Sequence, residues 1–151
     1  MSLRESACAY LNDALPLLNL KQWTVKVSDD LPPDDAWADV EASTNLWEAT
    51  IRISNDLFKE KPEKQRQVLA HELMHLHYAS VERAVETLEH VLGNQAYEIL
   101  EKLWDTETER AADAVSCVVA VILPLPEFKE NEDGIRTKKT RKSRKIRKAR
   151  S

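Results

Sequence analysis

The chain has 151 residues, room for one domain with a modest core. Its 42% apolar content and two glycines exclude collagen-like and low-complexity architectures. The net charge of −4 conceals an asymmetry: ten basic residues lie between Arg136 and Arg150 with no acid among them. Without that segment the body keeps 12 basic against 26 acidic residues, a balance of −14.

Two cysteines, Cys8 and Cys117, do not make a disulfide framework, and Cys117 reads as a small buried hydrophobe. Arg4 and Glu5 open no apolar leader. The longest apolar run, Ala114 to Leu123, is too short for a bilayer and stops at Pro124. A cytoplasmic, reducing setting is therefore the default expectation.

In chain order, Ser2-x-x-Glu5 has the form of a capping box, and Ala7, Tyr10, Leu11 and Ala14 recur at helical spacing until Pro16. Trp23, Val25 and Val27 alternate with polar residues as in a strand. Asp29 to Asp35 reads as a loop, and alternation resumes over Ala36 to Ala42. Ser43-Thr44-Asn45 marks a turn into a strand over Trp47 to Ile53, so the two strands predict an antiparallel hairpin. Pro62 suits the first position of a helix running to about Tyr78. Val81 to Leu88 starts another helical stripe, Gly93-Asn94 interrupts it, and Ile99 to Trp104 resumes it. Asp105 or Thr106 is placed to cap a final helix closed by Pro124 and Pro126. These elements predict an α+β domain over residues 1–129, a short antiparallel sheet packed on a central helix with further C-terminal helices. Residues 130–151 have no core pattern and predict a basic, disordered tail.

The central helix carries His71-Glu72-Leu73-Met74-His75. Residues four apart share a helix face, so two imidazoles can grip one cation from one side. Glu72 sits about 100° round the helix, free to take a proton from an activated water. Two histidines on any amphipathic helix would satisfy the same spacing. Here Val68, Leu69, Ala70, Leu73, Met74 and Leu76 surround them, and buried imidazole and carboxylate are costly without a partner or a metal. A catalytic zinc site takes a third protein ligand. Glu109-x-x-x-Asp113 supplies one: Glu109 for the metal, and Asp113 to accept the far N–H of a histidine, His71 first. The competing reading is a capping box, Thr106-x-x-Glu109, with Asp113 merely solvated. Glu107 is the second choice of ligand. His77 points to the opposite side of the helix from His75, and His90, Tyr78 and Tyr97 are candidates for an oxyanion donor only if the fold delivers them.

HELMH followed by ERAAD resembles the gluzincin type of zinc metallopeptidase. Tyr78 stands where a metzincin has glycine, and Val81 stands where a SprT-like peptidase has histidine. Within gluzincins, the small size, the upstream strands and the run ending Leu123-Pro124-Leu125-Pro126 resemble the ImmA/IrrE family over about residues 47–126. The chain departs from that pattern at Met74 and Val118. The resemblance implies a zincin-like fold and one zinc ion per chain on His71, His75 and Glu109. It implies endopeptidase activity with Glu72 as general base, acting on an extended peptide laid along an exposed sheet edge, for which the strand Trp47–Ile53 is the candidate. It further implies a regulatory protein such as a repressor as substrate, and a phage or mobile-element protein working in a bacterial cytoplasm. The basic segment supports another class: a nucleic-acid-associated protein binding phosphates through residues 136–151, with a structural or vestigial zinc site.

Overall fold

Ser2 accepts from the Glu5 N–H while Glu5 reaches back to the Ser2 N–H, so the capping box forms and starts α1 (Leu3–Ala14). The computed structural model describes residues 1–128; the basic segment expected to be disordered, and with it any nucleic-acid contact through residues 136–151, lies outside them. A short 3-10 turn follows, then β1 (Thr24–Val27), β2 (Ala38–Ser43) and β3 (Glu48–Ile53). The helices α2 (Pro62–Glu86), α3 (Glu89–Leu92) and α4 (Asn94–Val119) complete an α+β fold.

The sheet order is β1-β3-β2. The predicted hairpin is present, with β2 antiparallel to β3 and Val40 opposite Ile51. The sheet is nevertheless mixed, because β1 runs parallel to β3, with Val25 opposite Ala49. Two expectations fall with this. The sheet is not wholly antiparallel, and the Trp47–Ile53 strand is central rather than an edge. Alternation could not have shown it, since central and edge strands alike present one buried face. Ala49, Ile51 and Ile53 form that face, each 2% exposed or less.

Which edge is open follows from one side chain. Asn12 of α1 lays its amide along β1: Nδ2 donates to the Val25 carbonyl at 2.8 Å, and Oδ1 accepts from the Val25 N–H at 3.1 Å. The outer hydrogen-bonding groups of Val25 are thus taken, as a neighbouring strand would take them. Asn12→Ala is expected to lower stability by about 1–3 kcal/mol by stranding both groups, read as a shift in the urea midpoint without a change in slope.

The apolar core is one cluster. Ala7 and Leu11 of α1, Leu20 and Trp23, the buried face of β3, and Leu69, Leu73 and Leu76 of α2 meet in it. Gln65 fixes where α2 begins: its buried amide donates to the carbonyls of Leu57, Phe58 and Glu60. From there α2 runs unbroken to Glu86, past the expected stop near Tyr78, because no glycine or proline intervenes. Helix α4 likewise begins at Asn94, straight after Gly93 at φ 74°, and passes through Asp105 and Thr106. Thr106 caps nothing; its hydroxyl donates to the Lys102 carbonyl within the helix. Helix α4 meets α2 through the buried Ala112 and Ser116, and Gln67 of α2 donates to the Ser116 hydroxyl at 2.8 Å. Cys117, one step round the helix from Ser116, is exposed rather than buried. Among the described residues, no helix is long and apolar enough to cross a membrane.

Candidate metal centre and cleft

The long α2 carries His71 and His75 one turn apart, and α4 crosses it with Glu109 facing both. The two Nε2 atoms lie 3.1 Å apart. Glu109 Oε2 is 3.3 Å from His71 Nε2, and Oε1 is 3.2 Å from His75 Nε2. Asp113, one turn on from Glu109, receives the opposite nitrogen of His71: Nδ1 to Oδ1 is 2.9 Å. The structure therefore brings His71, His75, Glu109 and Asp113 together, and the capping-box alternative for Glu109 is excluded by the continuity of α4.

This donor set has the make-up of a group able to hold a cation. A neutral His71 that gives its Nδ1 hydrogen to Asp113 presents a bare lone pair on Nε2. That lone pair faces a second imidazole nitrogen and a carboxylate. Burial lowers the pKa of His75, which favours its neutral form; Glu109 opposes this and His71 adds to it. Three converging acceptors repel one another unless something positive lies among them. Tetrahedral zinc with bonds of about 2.0–2.1 Å spaces its ligand atoms roughly 3.3–3.4 Å apart, close to the separations found here. The residues present fit such an ion.

Glu72 lies beside the triad, 7% exposed and without a hydrogen-bond partner among the described residues. Its carboxyl is pushed up to about 8, first by burial and then by the charges of Glu109 and Asp39. Burial and the neighbouring carboxylates together favour its protonated form.

His71, Glu72, His75 and Glu109 line a cleft of about 790 Å³ between α2 and β2. Its other wall is Ala38 to Ser43, the whole of β2, and the turn Thr44-Asn45 closes one end. Arg83 of α2 donates to Thr44 Oγ1 and Asn45 Oδ1 there, tying the hairpin to the helix. Asp39 of β2 is held by a forked ion pair with Arg52 of β3.

The remaining candidates stand apart. His77 and His90 are exposed, Tyr78 packs against the core, and none of the three lines the cleft. Tyr97 lines an adjoining groove with Glu98 and Glu101, which shares Glu86 with the cleft. Glu107 pairs with Arg110 at 2.8 Å and does not reach the histidines. Sequence reasoning missed β2 as the cleft wall, and it missed Glu82 and Glu86. A signal for those two existed, since His71, His75, Ala79, Glu82 and Glu86 keep one helical stripe once α2 is known to run on.

No family model, curated protein or solved structure matches the chain. The functional reading therefore rests on the residues and their geometry.

Proposed function

We propose that the chain is a zinc-dependent endopeptidase with a zincin-like arrangement of helix, sheet and ligands. What carries this reading is the convergence of two imidazole nitrogens and a carboxylate at 3.1–3.3 Å beside a buried carboxyl that has no hydrogen-bond partner among the described residues. A structural zinc site would close its coordination with a fourth protein ligand and would not need Glu72.

His71, His75 and Glu109 would hold the ion, with Asp113 keeping His71 in the tautomer that presents Nε2. A zinc ion bound there would supply a Lewis acid to polarise the scissile carbonyl and acidify water. Glu72 takes the proton from the attacking water, and positive charge at the triad favours the ionised form it needs for that. A C–O bond forms at the carbonyl carbon and the C–N bond breaks. Glu72 delivers its proton to the leaving nitrogen, so a carboxylate and an amine result.

The free edge of β2 supports an extended substrate. Asn12 closes the β1 edge, whereas among the described residues β2 pairs only with β3 and has its other side on the cleft. A peptide added there binds through its backbone with little side-chain demand. The resemblance to the ImmA/IrrE family makes a regulatory protein such as a repressor the first substrate to try. The test is incubation of the zinc-loaded chain with a mixture of unstructured peptides, with new termini read by mass spectrometry. Cleavage that stops on chelation supports the reading; no new terminus at any zinc concentration overturns it.

A further inference from the structure

The cleft continues past the triad, and its far half carries charge that hydrolysis does not use. Glu82 and Glu86 lie on the helical stripe that bears both histidines, and Glu41 comes from the facing strand β2. At 1.5 Å per residue they sit about 10 and 16 Å beyond His75 along α2. None of Glu41, Glu82 and Glu86 has an ion pair among the described residues. Arg83 is the one cation lining the cleft among those residues, and its guanidinium is engaged by Thr44 and Asn45. One positive charge against three carboxylates leaves this half of the cleft negative. Burial raises the carboxyl of Glu82, and Glu86 and Asp105 add to it, as expected for carboxylates crowded without a counter-ion.

Unpaired acids on a surface are ordinarily just solvated. These share a cleft with Glu72, which is buried and has no hydrogen-bond partner among the described residues, and with the edge of β2 that none of those residues pairs with. The cleft is thus shaped to receive a chain. An extended peptide advances about 3.3 Å per residue, so the two helix carboxylates fall about three and five residues from the triad. Those two positions have the same parity, so their side chains leave the same face of a bound strand. We propose that the cleft binds extended peptides bearing lysine or arginine at these positions, with Glu82 and Glu86 as specificity-determining residues. This rests on the triad being the hydrolytic centre.

The test uses the full chain as its zinc-loaded Glu72→Gln variant, so that a bound peptide stays intact. The probes are fluorescein-labelled peptides of about twelve residues, alternating alanine with lysine or alanine with glutamate, followed by anisotropy at low salt. The lysine peptide is expected to bind at least ~10-fold more tightly than the glutamate peptide. Adding Glu82→Lys and Glu86→Lys should remove that preference. Asp13→Lys with Glu60→Lys makes the same change of charge at exposed positions that line neither the cleft nor the groove beside it, and should alter it less than ~2-fold. Equal binding of the two peptides, or equal loss in both double variants, overturns the proposal. The hydrolytic reading fails separately. A wild-type chain that cleaves both peptides alike retains hydrolysis and overturns the selectivity. Selective binding that Glu82 and Glu86 control, with no cleavage by wild type, retains the selectivity and overturns hydrolysis.

Discussion

Glu72→Gln is expected to lower peptide hydrolysis about 10²–10⁴-fold while the chain still takes up about one zinc ion. Glutamine has nearly the shape of glutamate but cannot accept the water's proton. Glu72 is not among the three groups that converge on the site, so its amide should leave their geometry intact. Kinetics on any cleaved peptide, beside metal content by mass spectrometry, separate the two effects. An unchanged rate would remove Glu72 from the reaction. Loss of zinc together with activity would instead make it a ligand.

The second large effect is on metal uptake and stability. Glu109→Ala removes the only acidic member of the triad and should abolish zinc binding at micromolar metal. In wild type, zinc at about a thousand times its dissociation constant adds roughly 4 kcal/mol to folding, which for a chain of this size raises the melting temperature by about 10 °C. Chelation should reverse that rise, and Glu109→Ala should show none. A variant that keeps the zinc-dependent rise would show that Glu109 is not a ligand.

The centre was legible in the sequence because helical periodicity is a local property. The spacings of His71 to His75 and of Glu109 to Asp113 each fix a shared face whatever the rest of the chain does. That the two faces meet is a tertiary fact, and it was inferred only because each motif lacked a purpose without the other. What failed was non-local or a matter of degree. The parallel pairing of β1 with β3 depends on how a loop crosses, and nothing in Thr24–Val27 encodes it. Thr106 and Glu109 have the letters of a capping box, but without a chain break before them the helix runs on from Asn94. Cys117 sits in an apolar run, yet α4 offers its partner only the narrow strip of Ala112 and Ser116. The role of Asn12 was illegible for a simpler reason: an amide on a helix surface has no meaning until a strand edge is brought to it.

That narrow strip has a bearing on how the molecule comes apart. Helix α4 has 26 residues and fully buries only two of them, both small, so hydrophobic attraction holds it weakly. His75 and Glu109 stand 34 positions apart in the chain, and a cation shared between them is a cross-link closing that loop. Removing it should not loosen the molecule evenly. Amide hydrogens of α4 should exchange early, while those of β3 and the first turns of α2, set in the core, should wait for global unfolding. The centre would then act as a latch on one helix, and the ligand it contributes would be the first to leave.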